Sequence, residues 1–139
     1  MALKVRDIMI RDVITLKEEE SLLLAQDIMD LARLRHLPVL KGEVLVGLVT
    51  HRDLLRASIS SMVGLTAIED EAVKQRIHVR DVMRRDVESI GPDAPAADAA
   101  RQLLNHKYGC LPVVDADKKL LGILTEADFV KIALKALES

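Results

Sequence analysis

Apolar positions along this chain fall into two alternating periods, and the whole alternation occurs twice. A short extended stretch, "DVITL" (residues 12–16), precedes Leu24, Ala25, Ile28, Met29 and Ala32, which stand at helical spacing. A short strand around "LPV" from Leu37 follows. The polar turn "KGE" then leads into a strand, "VLVGLVT", which runs straight into a second helix at His51. The same order returns with "DVESI" (residues 86–90) and a helix carrying Ala96, Ala99, Ala100 and Leu103 on one face. For that helix Asp93 is the predicted N-cap and Pro95 sits in the first turn, where its missing N–H costs nothing. The strand "LPV" from Leu111, the turn "DADKK", the strand "LLGILT" and a helix with Phe129, Val130, Ala133, Leu134 and Leu137 on its stripe complete the second copy. Pro38 and Pro112 predict that each "LPV" strand is at an edge or begins at the proline. The link at 58–78 contains "IEDEAVKQRI", which predicts a turn or two of amphipathic helix.

The duplication is explicit in residue identities. "VRDIMIRDVITL" begins at Val5 and "VRDVMRRDVESI" at Val79, an offset of 74 that also aligns "LPVL" with "LPVV". One inserted residue in "DADKKLLG" raises the offset to 75, which aligns Gly47 with Gly122, Thr50 with Thr125 and Asp53 with Asp128. One copy is too small to bury two helix stripes and a sheet face. The expected architecture is therefore α/β (α+β): two β-α-β-β-α copies, 1–66 and 67–139, related by a pseudo-twofold axis and sharing one core as a compact module.

The duplicated Gly-x-x-Thr-x-x-Asp turn carries the candidate chemistry. Thr followed three residues later by an acid, ahead of an apolar run, is a capping box. The same turn leads from a strand into a helix, so its free amides also suit an anion. An ionised Asp accepts both hydroxyls of a cis-diol. The two roles are compatible. After the threonine the copies diverge: His51 and Arg52 in the first, Glu126 and Ala127 in the second. Arg52 suits a phosphate; Glu126 does not. Gly47 and Gly122 permit close approach, of a ligand or of packed chain. Arg6, Arg11, Arg80, Arg84 and Arg85 flank the "RD" motifs, either near the same site or as surface charges.

Composition narrows the function classes. A net charge of −2 over 139 residues gives no general attraction to nucleic acid or an anionic membrane. The only aromatic rings, Tyr108 and Phe129, are too few for a single-stranded nucleic-acid platform. His36, His51, His78 and His106 lack metal-ligand spacing, and no P-loop or Gly-x-Ser-x-Gly elbow occurs. No enzyme activity and no metal are expected. No apolar run approaches a membrane span of ~20 residues. Cys110 is the single cysteine and has no disulfide partner within the chain. With no signal-peptide core at the N-terminus, a cytoplasmic location is expected.

The motifs "RDIM…DVITL", "RHLPVL" and "GLVTHRDLL", repeated as "RDVM…DVESI", "GCLPVVD" and "GILTEADFV", resemble a tandem pair of cystathionine β-synthase (CBS) domains, a Bateman module. The resemblance implies clefts that bind an adenosine-containing ligand: AMP, ADP, ATP, NAD or S-adenosylmethionine. It implies a stand-alone regulatory sensor with no obligatory cofactor, acting on an unidentified protein partner. Carried over residue by residue, Thr50, Asp53, Thr125 and Asp128 contact ribose, with His51 and Arg52 beside them. The base lies against Val13 to Thr15, Val87 to Ser89, His36, Leu37 and Pro38, and Cys110, Leu111 and Pro112. A homodimer on the long helices is expected, because "FVKIALKAL" keeps an apolar stripe. The rival reading is a constitutive interaction module with vestigial clefts, or a weak nucleic-acid binder.

Overall fold

Val5 and Val79 open the two copies of one sequence motif, and each is fully buried in a core built mainly from the other copy. In the computed structural model, residues 2–61, 66–106 and 109–139 are described, with backbone only at 58–61 and 67. Tyr108 and Met62 lie outside the described residues. The chain forms two compact units, one from Ile14–Val87 and one from Met1–Val13 with Glu88–Ser139. Each unit holds residues of both repeats: 67–87 fall with the first repeat's 14–66, and 1–13 fall with 88–139. The elements, in order, are α1 (Val5–Ile8), β1 (Leu16–Lys17), α2 (Leu22–Ala32), β2 (His36–Lys41), β3 (Val44–Thr50), α3 (His51–Ser61), α4 (Ala67–Arg76), α5 (Val79–Val82), α6 (Ala96–Asn105), β4 (Cys110–Val114), β5 (Leu120–Thr125) and α7 (Glu126–Glu138). The fold is mixed α+β.

In the 14–87 unit, β2 pairs parallel with β1 and antiparallel with β3. Its core gathers Leu16, Leu22, Ala25, Met29, Leu37, Val39, Val49, Leu54, Val79 and Met83. The other unit has the β4–β5 hairpin, with Val5, Ile90, Ala99, Leu103, Leu111, Val113 and Leu124 in its core. The first strand starts later than the pattern predicts. Residues 11–15 and 87–89 are irregular; only Leu16 and Lys17 pair as a strand, and Ile90 alone bridges to Val113. The reason is connectivity: the chain leaves one unit for the other at Val13/Ile14 and at Val87/Glu88.

Two further expectations are corrected. The buried stripe of α2 is Leu22, Ala25 and Met29, with Ile28 packed beside it, while Leu24 and Ala32 are exposed, because the helix turns the 22–25–29 line toward the core. Asp93 does not cap α6; its carboxylate pairs with Arg6, and Pro95 takes the N-cap position.

Pro38 and Pro112 each stand third in their strand, not first. Both are tolerated there because their partners, Leu48 and Ile123, turn their own amides and carbonyls away. Leu48 exchanges two 2.9 Å hydrogen bonds with Arg84, and Ile123 exchanges two 2.9 Å bonds with Ile10. The prolines thus occupy non-hydrogen-bonded pairs and remove no ladder bond.

Candidate functional site

The Thr-x-x-Asp sequence folds the same way at both strand-to-helix turns. The Thr50 amide and hydroxyl each donate to Asp53 Oδ2 at 2.9 Å, and the Asp53 amide donates to Thr50 Oγ1 at 3.2 Å. At the second turn the Thr125 amide and hydroxyl donate to Asp128 Oδ2 at 2.8 and 3.3 Å. The capping geometry is therefore formed, and in both turns it consumes Oδ2 alone. Helix α3 and helix α7 start directly at these turns; their first amides are taken, His51 N–H by Arg35 O (2.8 Å) and Glu126 N–H by Gly109 O (3.4 Å), which leaves the Arg52 and Ala127 N–H groups without an intrahelical acceptor. Such a turn can hold a carboxylate in a fixed pose beside N–H donors, the arrangement that grips a diol and an adjoining anion.

The two carboxylates have different surroundings. Thr50 and Asp53 are both buried. Asp53 Oδ1 lies 3.3 Å from the Arg84 guanidinium. Thr125 and Asp128 are half-buried, and among the described residues Asp128 Oδ1 forms no ion pair or hydrogen bond. Arg84 reaches its position through the backbone bridge to Leu48 on β3. The sequence pattern had placed Arg84 only among the flanking basic residues. The signal that singles it out is the repeat itself: at the offset of 74, Arg84 replaces Ile10. Arg11 and Arg85, by contrast, donate to the carbonyls of Arg6 and Arg80, each closing its own turn.

The remaining candidates divide between the units. His36 pairs in register with Thr50, so His36, Leu37 and Pro38 run beside the first turn; Leu37 and Pro38 are fully buried. Cys110 pairs with Thr125, and Cys110, Leu111 and Pro112 are buried beside the second turn. Burial pushes the Cys110 thiol up from 9.0 to about 12, so it is an inert packing group. Thr15 and Val87 belong to the unit of Asp53, and Val13 and Ser89 to that of Asp128; all four are half-buried. His51 and Arg52 are exposed at the start of α3. Ser89 also lines a hollow of about 410 Å³ between residues 89–93 and 114–116, at the end of the β4–β5 hairpin remote from Thr125. No group of three or more His, Cys, Asp or Glu is placed to hold a metal ion among the described residues. No described helix is long and apolar enough to cross a membrane.

The chain is similar to several known proteins. The CBS domain pattern matches residues 5–60 and 79–135. The Vibrio cholerae protein AcuB is similar in structure, with a TM-score of 0.83 and 37% identity over 99% of this chain and 95% of that one. CBSX2 of Arabidopsis thaliana, solved in complex with AMP, has a TM-score of 0.79 and 31% identity, covering 96% of this chain and 97% of that one. Inosine-5'-monophosphate dehydrogenase of Methanocaldococcus jannaschii is 33% identical over 92% of this chain. This chain spans only 23% of that enzyme's length.

Proposed function

The chain belongs to the CBS domain family, and on that premise we propose that it is a regulatory module. In this reading it binds an adenosine-containing ligand at the Thr50–Asp53 and Thr125–Asp128 turns and so alters the behaviour of a protein partner. The observation that carries the reading is the duplicated geometry: each carboxylate is fixed by its own threonine at a helix start. The AMP complex of CBSX2 supports the ligand class. Exposed Arg52 favours a phosphorylated ligand at the first turn, and exposed Glu126 disfavours a polyphosphate at the second. The role is sensing, with no chemical step. Ligand must then bind one conformation of the module more tightly than another, since only differential affinity shifts a population.

Thermal melting against AMP, ADP, ATP, NAD and S-adenosylmethionine tests this. At ~100-fold excess over Kd one site adds about 2.7 kcal/mol, which raises Tm by roughly 5–10 °C for a chain of this size. No shift with any of the five at millimolar concentration rejects the sensor and leaves the constitutive interaction module.

A further inference from the structure

We infer that Arg84 makes the Asp53 turn selective for a ribose that carries a phosphate, while Ile10 leaves the Asp128 turn open to uncharged adenosyl ligands. The inference rests on reading both turns as ribose sites.

The two positions are the same place in the fold. Arg84 exchanges two backbone hydrogen bonds with Leu48, and Ile10 exchanges two with Ile123. Each bridge lies beside a glycine, Gly47 or Gly122, at which an added Cβ would meet the bridging segment at 3.0 Å or less. Backbone placement is shared, so the side chain alone distinguishes them. In one unit that side chain is a guanidinium 3.3 Å from the buried carboxylate of Asp53. In the other it is a half-exposed isoleucine, and Asp128 Oδ1 is left without a charged partner among the described residues.

The chemistry follows. A carboxylate takes a ribose diol with acceptor sites on both oxygens. At Asp53 one oxygen is held by Thr50 and the other by Arg84, so a diol competes with the guanidinium. An uncharged nucleoside that takes Asp53 Oδ1 costs the 3.3 Å ion pair with Arg84 and offers the guanidinium nothing in exchange. A nucleotide supplies a phosphate to which the displaced guanidinium transfers, with a planar fork that suits phosphate oxygens. At Asp128 no described residue competes for Oδ1, and Ile10 offers a phosphate no charge. Arg52 and Arg84 therefore differ in kind. Arg52 adds attraction for phosphate only, whereas Arg84 also opposes ligands that lack one.

Calorimetric titration of AMP and adenosine into the full chain tests this, using Asp128→Asn to weaken the second turn. The Asp53 turn should prefer AMP by about ten-fold or more, the size of a charge-assisted contact. Arg84→Ile should lower AMP affinity and raise adenosine affinity, erasing the preference, whereas Arg52→Ala should lower AMP affinity and leave adenosine unchanged. The reciprocal Ile10→Arg, read in the Asp53→Asn background, should create an AMP preference at the Asp128 turn. It also guards against Arg84→Ile failing to fold, because Ile10 is 43% exposed. If both ligands respond to Asp53→Asn but adenosine affinity does not rise with Arg84→Ile, the assignment of Arg84 is wrong and the ribose reading stands. If neither ligand binds the wild-type chain, both fall together.

Discussion

Gly47 lies so close beneath Met83 that a Cβ on the glycine would stand 2.5 Å from Met83 Sδ, with Arg84 O at 3.0 Å. Gly122 repeats the relationship, with Ile10 O at 2.7 Å and Met9 Sδ at 2.8 Å. The glycines of the duplicated turn thus serve packing: they let the "RD-hydrophobic-Met" segment cross its strand. Gly47→Ala and Gly122→Ala should each cost about 1–3 kcal/mol through overpacking. Gly122→Ala should be the worse, because its nearest obstacle is backbone. Met83→Ala should recover part of the Gly47→Ala loss, and Met9→Ala little of the Gly122→Ala loss. Urea denaturation of the single and double variants checks the ranking.

The carboxylates should separate when each is neutralised. Asp128→Asn loses a half-buried cap and should cost a few tenths to ~1 kcal/mol. Asp53→Asn also removes the ion pair with Arg84, whose part-exposed side chain limits the addition to about 0.5 kcal/mol. Affinity for an adenosyl ligand at the altered turn should fall roughly ten-fold in both variants. Equal stability losses with wild-type affinity by calorimetry would reduce both residues to helix caps.

Lys74 and Asp70 form a buried ion pair on α4 (2.9 Å), and Lys74 also donates to Gln26 on α2. Asp70 Oδ1 is buried and accepts no hydrogen bond among the described residues. Removing one charge strands the other, so Lys74→Ala should cost ~3 kcal/mol. Asp70→Leu with Lys74→Met should be close to wild type, since apolar replacements avoid the desolvation of both ions. Chemical denaturation decides between these outcomes.

Cys110 gives stability an alkaline limit. Its thiol is pushed from 9.0 to about 12 in the fold, so between these values the unfolded chain has released a proton that the folded chain retains. Stability from this group is complete below pH 9 and falls as pH rises toward 12, with a slope on the order of 1.4 kcal/mol per pH unit. Cys110→Ala should flatten that limb of a stability–pH curve, and thiol reagents should label native Cys110 only upon unfolding.

Helix α7 buries no residue, and Val130, Leu134 and Leu137 are 65%, 53% and 82% exposed along one stripe. In the homodimer expected from the sequence, this stripe would be covered by a second copy. Leu134→Glu should then convert a dimer to a monomer in light scattering at micromolar concentration. A wild-type monomer, or an unaffected dimer, would discard α7 as the contact.

Local pattern was enough to reveal the duplicated element order and the two Thr-x-x-Asp turns, because helix faces, strand runs and capping boxes are set by residues a few positions apart. Thr50 and Asp53 bond to each other across three residues wherever their helix begins. What periodicity does not carry is which core receives an apolar face. Val5 and Val79 read as equivalent in the sequence. Only tertiary folding placed Val5 in one core with Ala99 and Leu111, and Val79 in another with Leu16 and Leu22. The same holds for charge. Asp93 has the right spacing for a cap, but Arg6, distant in sequence, takes its carboxylate. Arg84 and Arg85 are adjacent in sequence, yet one meets a buried aspartate and the other a backbone carbonyl. Hydrophobic burial is indifferent to sequence separation, and an ion pair forms where burial has already brought two chains together. The bridge of Leu48 to Arg84, made by core packing around Met83, is what sets that guanidinium beside Asp53.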